Sequence, residues 1–501
     1  MLMIWYNNIK VNKRSDILMS NIDGVKGFSF NQLNKIVDIM NSSASKTKEE
    51  VVDSVALGST RNPQMDVIIM PDVKVMKGNF SVENMASRVK EEGIALKDNL
   101  ELINGVTAKV TPEEAEKLQK QGFLVYDDSP KDLSPGIPAA TSSTTRAGNP
   151  WDMPEIKDIE WTGAKKLHDQ GLTGKGRTVA VIDSGYNHPA KPLKAWADVV
   201  EKSPKPIDPN GHGTHVAGDV NKIAPDAELV GVRVMNSQGQ GRPSDIVKGI
   251  EWVIKNKDRF GIDIINMSLG AGPDGVPFYM DPINKAVEQA IKFGIDVVVA
   301  AGNSGPGAET IGSPADDPAA LTIGAALNPT KVSDFSSRGP TEDNLEKPDI
   351  IAPGEFITSW AAPDSQLDNI GKTVQTIRDM TPDQLTTLFT NKPDLIKALG
   401  LPSNVMSLSP KERETVVKTN LPPMFKPTAD TLAGPGTSFA SPEVAGLAAL
   451  LKQAVPDKTP ADRKEAFMKT ADSMGSQYKK VDQGSGFVDA DEAVKYLKEH
   501  K

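Results

Sequence analysis

Three glycine-rich segments carry the side chains from which covalent catalysis by an alcohol is built. Val181-Ile182-Asp183-Ser184-Gly185 holds a carboxylate. Asn210-Gly211-His212-Gly213-Thr214-His215-Val216-Ala217-Gly218 holds two imidazoles. Gly436-Thr437-Ser438-Phe439-Ala440-Ser441-Pro442 holds a hydroxyl. A serine is a poor nucleophile until a base takes its proton, and an imidazole oriented by a carboxylate is a common base for that task. Alone, each of these residues would read as a turn, a cap or a packed histidine; the chemistry needs all three to converge. The chain has no cysteine, so no thiolate can replace the hydroxyl and no disulfide holds the fold.

The elements that would position these groups are legible as apolar patterns. After Ser438 come Ala440, Pro442, Val444, Leu447, Ala448 and Leu451, the spacing of a buried helix. Proline suits only a helix start, so the pattern predicts Ser438 at a helix N-terminus, where free backbone N–H groups favour developing negative charge. Asp183 ends the apolar run Thr178–Ile182. Similar runs are Leu229–Val234, Asp263–Asn266, Asp296–Ala300 and Leu321–Ala325. Helical patterns lie between several of them, one with Ile246, Ile250, Val253 and Ile254, another opening at Asp281-Pro282. Continuous apolar strands alternating with helices predict an α/β fold, a parallel sheet covered on both faces. Ligands bind such sheets beyond the strand C-terminal ends, and Asp183 and Asn303 lie just past two of them.

Upstream, residues 63–128 predict a small α+β module. Asp66–Met70 and Phe123–Tyr126 read as strands, and Val82, Met85 and Val89 mark a helix face. Leu100–Val110 reads as strand, Asn-Gly turn, strand. Thr111-Pro112-Glu113-Glu114 opens a second helix with a capping box. The order β-α-β-β-α-β is ferredoxin-like. Residues 1–62 are polar, with one amphipathic helix expected over Phe28–Met40, a loop over Ser42–Lys48 and no assigned role. Residues 129–154, rich in Pro, Ser, Thr and Gly, read as a linker.

The three catalytic-type segments resemble those of the subtilisin-like serine proteases (subtilases, peptidase family S8), in the order Asp, His, Ser that this family uses. The resemblance covers roughly residues 63–497. It implies a subtilisin-like catalytic domain over 155–497 and an N-terminal inhibitor-type propeptide over 63–128. Asp183 would orient the base, His212 would take the Ser438 proton, and Asn303, in Ala300-Ala301-Gly302-Asn303-Ser304-Gly305, would donate to the oxyanion. His215 would be a structural histidine. Ser268, Leu269 and Gly270 resemble the strand that pairs with extended substrate. Ser336-Ser337-Arg338-Gly339-Pro340 and Lys347-Pro348-Asp349 match structural positions. The chain would be made as a zymogen and cut itself within the linker, with the bond after Leu133 a candidate and the range Asp128–Asn149 the limits.

Two departures from the family stand out. Phe439 replaces the usual Met. Between Pro353-Gly354 and the nucleophile segment the chain is much longer than in compact subtilases, and residues 361–430 predict a helical insertion, with helices opening at Thr381-Pro382 and Ser409-Pro410. Many subtilases bind calcium tightly on a loop after the histidine helix. Here Val216-Ala217-Gly218 runs almost directly into Ile223-Ala224-Pro225, which predicts no calcium at that position and no cofactor. Asp281 with Asp316 and Asp317 is a second conceivable site, read as solvated surface carboxylates.

The 501-residue chain predicts two to four domains. Its net charge of -9 gives no reason to expect nucleic acid. The partners implied are polypeptide substrates and the propeptide itself. No apolar run is long enough for a membrane span or a classical signal peptide. The family habit is extracellular, so sequence and resemblance point opposite ways and no compartment is assigned. Two other functions share the same residues: a non-catalytic scaffold and a peptide ligase.

Overall fold

A computed structural model describes residues 27–42, 64–76, 80–134, 136–138 and 156–500. The start of the chain, most of the Ser42–Lys48 loop and most of the linker lie outside the described residues. The first described helix is α1 (Phe30–Asn41), capped by Ser29 in a capping box with Gln32. It buries Phe30, Leu33 and Ile36 on one face. Then β1 (Met65–Pro71), α2 (Val82–Glu91), β2 (Leu96–Leu100), β3 (Gly105–Val110), α3 (Pro112–Lys120) and β4 (Phe123–Asp127) form an antiparallel sheet in the order β2-β3-β1-β4. That is the ferredoxin-like arrangement. The Thr111–Glu114 capping box forms as its sequence predicts. The expected Leu100–Val110 hairpin differs: its first strand ends at Leu100, and Glu101–Ile103 make a 3-10 turn closed by Asn104 at φ 51°. Asn tolerates the left-handed region, so it ends the turn rather than the strand.

One face of this small sheet, including Val67, Ile69 and Val106, covers α2 and α3. The other face, with Ile68, Met70 and Leu100, is continuous with the core of the large domain. After β5 (Lys131–Asp132), that domain builds β6 (Thr178–Asp183), β7 (Ala195–Asp198), α4 (His212–Ile223), β8 (Glu228–Arg233), β9 (Gln240–Gly241), α5 (Pro243–Phe260), β10 (Ile264–Met267), α6 (Pro282–Lys292), β11 (Asp296–Ala300), β12 (Leu321–Asn328), β13 (Lys331–Val332) and β14 (Ile350–Pro353). Strands β7, β8, β6, β10, β11, β12 and β14 are parallel neighbours, and β13 joins β12 antiparallel. Along β6, Val179 and Val181 face one core while Ala180 and Ile182 face the other. Both faces are covered, which is why the strands read as unbroken apolar runs.

The chain continues through β15 (Ile357–Trp360), α7 (Gln366–Asp379), α8 (Pro382–Asn391), α9 (Asp394–Ala398), α10 (Pro410–Thr419), β16 (Thr431–Gly434) and α11 (Thr437–Ala454), and further helices at Pro460–Thr470 and Ala490–Glu499 follow. Helices α8 and α10 start at Thr381 and Ser409, each with a capping box. Antiparallel pairing of β15 with β16 closes the base of the insertion. The insertion has its own apolar core, and Phe28, Phe30, Leu33 and Ile36 belong to it.

Candidate active site

Asp183 is the last residue of β6 and is fully buried. Its Oδ1 accepts from the Ser184 N–H at 2.7 Å and lies 2.8 Å from His212 Nδ1. A carboxylate offers only lone pairs, so Nδ1 carries the proton and Nε2 is left as the basic nitrogen. Burial disfavours the imidazolium. The Asp183 charge and hydrogen bond, with Asp208 and Asp219 further out, outweigh it, and the His212 pKa is raised.

His212 opens α4, and the start of this helix is tied down by its neighbours. Asp208 accepts from the Gly211 N–H at 2.8 Å, the Thr214 N–H at 2.8 Å and the Thr214 hydroxyl at 2.7 Å. Ser184 donates to Asp208 at 2.9 Å and accepts from the Gly213 N–H at 2.9 Å. Asn210 Oδ1 accepts from the His212 N–H at 3.2 Å. The orphan N–H groups of a helix start are thus satisfied by side chains. Gly213 permits the approach: a Cβ there would sit 2.3 Å from the Gly185 carbonyl oxygen. His215 is buried, with Nδ1 3.0 Å from Asp219 and Nε2 3.0 Å from the Leu432 carbonyl. Phe439 lies between the two imidazoles, its ring centroid 5.7 Å from His212 and 4.0 Å from His215.

Ser438 is half-buried in the first turn of α11. Pro442 lies beyond the helix start, inside α11, contrary to the expectation for proline. It has no N–H to offer the Ser438 carbonyl four residues back. The Ser268 hydroxyl donates there instead, at 2.7 Å. Asn303 Oδ1 accepts from the Thr437 N–H at 2.9 Å and hydroxyl at 3.0 Å. That leaves its amide N–H groups to offer a ligand.

His212, Asn303 and Ser438 line one cavity, with Asp183 behind the imidazole. Ser134 and Gly136 line the same cavity. The chain reaches it as an extended strand: β5 pairs antiparallel with β9, and the Leu133 and Ser134 N–H groups donate to the Gly239 carbonyl at 3.1 and 3.3 Å. On the other side, the Gly270 N–H donates to the Leu133 carbonyl at 3.2 Å. Of the three residues expected to meet extended substrate, Gly270 makes this bond. The Ser268 hydroxyl is committed to α11, and Leu269 is buried in the core. Gly241, at the end of β9, was missed by sequence reasoning: a Cβ on it would lie 2.7 Å from Leu133 Cδ1. Asp208 and the Ser268–Pro442 pairing were also missed. The Asp208-Pro209-Asn210-Gly211 turn is the local signal for the first; the second spans distant segments and leaves none.

The carboxylates considered for a second metal site are not surface groups. Asp281, Asp316 and Asp317 are all buried. Asp281 caps α6, Asp316 accepts from Asn284 Nδ2 at 2.9 Å, and Asp317 accepts from the Ala319 and Ala320 N–H groups. Burial, reinforced by the neighbouring Asp274, raises Asp281 to about 6; burial, with Asp281 and Asp317 nearby, raises Asp316 to about 7. Among the described residues no group of three or more His, Cys, Asp or Glu is arranged to hold a metal ion, and no helix is long and apolar enough to cross a membrane.

Comparison with known proteins agrees with this geometry. Residues 174–488 match the model of the subtilase family. "Serine protease AprX" of Bacillus subtilis (strain 168) is 34% identical over 432 residues, 81% of this chain and 82% of that protein. "Alkaline protease" of Alkalihalobacillus alcalophilus is 27% identical over 464 residues, 91% of this chain and 94% of that one. "Subtilisin E" of Bacillus subtilis (strain 168) is 32% identical over 288 residues, 54% and 67% respectively. On the match of its catalytic-type segments, its parallel sheet and these relatives, the chain belongs to the subtilase family and is a subtilisin-like serine endopeptidase.

Proposed function

We propose that the protein is made as a zymogen and hydrolyses peptide bonds through an acyl-enzyme on Ser438. In this reading His212 Nε2 takes the Ser438 proton as Oγ attacks the carbonyl carbon, and Asp183 holds the imidazolium. The Asn303 amide and the N–H groups at the start of α11 face the resulting oxyanion. His212 then protonates the leaving amine, and water repeats the sequence to release the acid. The observation that carries the proposal is the chain's own extended segment, hydrogen-bonded on both sides of the cleft, with Ser134 and Gly136 beside His212, Asn303 and Ser438. It favours self-cleavage between Leu133 and Gly136, within the wider range Asp128–Asn149. The βαββαβ unit, whose sheet shares the core beneath α5 and α6, would be the propeptide that delivers this segment. The match to the alkaline protease is long enough to include that unit.

Purified protein should label with a fluorophosphonate at Ser438, and mass spectrometry should find a cut within residues 133–136. Ser438→Ala should show neither. An intact, unlabelled wild-type chain would overturn the proposal and favour a scaffold, whereas capture of the acyl group by an added amine in preference to water would favour a ligase.

We propose further that no calcium is bound after the histidine helix. Only Ala224–Ala227 separate α4 from β8, and the Asp226 carboxylate is engaged by the Thr173 hydroxyl at 2.6 Å. A chelator should leave activity and thermal midpoint unchanged; a drop in either on chelation, reversed by calcium, would refute this.

A further inference from the structure

The segment in the cleft leads out of the ferredoxin-like unit and is held, as far as Ser134, by Gly239 and Gly270 of the large domain. On the other side of Ser438 the same segment is held by a different part of the chain. The Phe28 N–H donates to the Ile137 carbonyl at 2.9 Å, and the Ile137 N–H donates to the Phe28 carbonyl at 3.0 Å, a two-bond antiparallel bridge. Gly136 makes the approach possible. Its φ is +119°, and a Cβ there would sit 2.3 Å from the Phe28 carbonyl oxygen. Phe30 then lines the catalytic cavity together with Leu367 and Met424 of the insertion.

Helix α1 is seated on the insertion. It packs against α7 and α9, and Leu33 and Ile36 are all but inaccessible in the insertion core. Lys392, at the end of α8, places its ammonium 2.6 Å from each of the Ile39, Met40 and Ser42 carbonyls. A cation at a helix C-terminus satisfies carbonyls that have no intrahelical partner and complements the dipole. The seat is therefore specific as well as apolar.

We propose that the insertion is a docking platform for residues 27–42, and that the docked segment is a second inhibitory element. It clamps the chain on the leaving-group side of Ser438, opposite the ferredoxin-like unit. After the cut it would keep the downstream fragment in the cleft until α1 leaves its seat. The inference rests on the reading of the chain as a self-cleaving protease.

The test uses the full chain, comparing wild type with Leu33→Ser/Ile36→Ser and with Lys392→Met. The readout is the time course of fluorophosphonate labelling at Ser438, with fragment masses followed in parallel. Removing two buried apolar contacts should weaken the seat strongly, so the double variant should become labelled about tenfold faster or more. Lys392→Met, which leaves the apolar core intact, should move the same way by less. A synthetic peptide of residues 27–42, added to the processed double variant, should slow its labelling. If all three chains label at the same rate, or if the variants label more slowly, the clamp is overturned while the protease reading stands. If the double variant fails to fold, wild-type kinetics for Lys392→Met overturn it equally. Failure of wild type to label at all would count against the protease reading itself.

Discussion

His212, the base in the proposed mechanism, is buried against Asp183 with Asp208 and Asp219 further out, and its acid–base behaviour follows from that. In that mechanism only neutral His212 could accept the Ser438 proton, and its pKa is raised by Asp183 against the effect of burial. Activity should therefore fall as pH is lowered through a midpoint above the ordinary histidine value of about 6.5. Asp208→Asn removes one of the charges that favour the imidazolium and loosens the start of α4. It should move the acid limb of kcat/KM to lower pH and reduce kcat. An unmoved limb would mean that Asp208 acts on the helix alone. The Ser268–Pro442 pair offers a sharper test. Ser268→Ala leaves the Ser438 carbonyl without its side-chain donor, at a cost of about 1 kcal/mol in stability. It should lower kcat more than it changes KM. Pro442→Ala restores a backbone N–H at that carbonyl, so the double variant should recover much of the loss. A double variant worse than either single would show that the pairing has been misread.

At the scale of elements, α6 and its surroundings hold carboxyl groups against their preference for water. A carboxyl whose pKa is higher in the fold than in the unfolded chain favours folding most below the unfolded value. That contribution is lost as pH rises to the folded one. The window here runs from the ordinary 3.8 up to about 6 for Asp281 and about 7 for Asp316. Asp316→Asn keeps an acceptor for Asn284 and removes the charge. Its stabilising effect should be larger at pH 8 than at pH 5 by on the order of 2 kcal/mol, read from denaturant unfolding at the two pH values. Equal effects would show that Asp316 is not buried as a charge. The start of α5 is capped from the ferredoxin-like unit: Asp128 accepts from the Ser244 N–H and hydroxyl, both at 2.8 Å. Asp128→Ala should cost about 1 kcal/mol, the usual worth of such a cap, and should loosen this unit rather than the large domain. Limited proteolysis of the Ser438→Ala background would report it as earlier loss of residues 64–127.

For the whole molecule, what sequence reasoning could read was set by range. The β6 run Thr178–Ile182 and the β11 run Asp296–Ala300 were legible because both faces of each strand are buried, so nothing interrupts the apolar pattern. The helix starts at Thr111 and Ser409 were legible because a capping box lies within four residues of chain, and that at Thr381 because a proline follows the capping threonine. The catalytic-type residues were legible through their glycine-rich segments. Asp281 and Asp316 were misjudged because burial is a property of the assembled fold. The seat of α1 was invisible because its partners, Leu367 to Leu432, lie hundreds of positions away, and an amphipathic stripe says nothing about what it covers.

The segment in the cleft is part of the same polypeptide as the residues around it, held from both ends. If the chain cuts itself there, as proposed, first-order kinetics follow: each molecule would carry its own initial target at a fixed local concentration, with no encounter to wait for. Dilution across several orders of magnitude should leave the half-time of the first cut unchanged, and only later events should slow. The onset of activity would then behave as a clock wound at synthesis, one per molecule, rather than as a chain reaction spreading through the population.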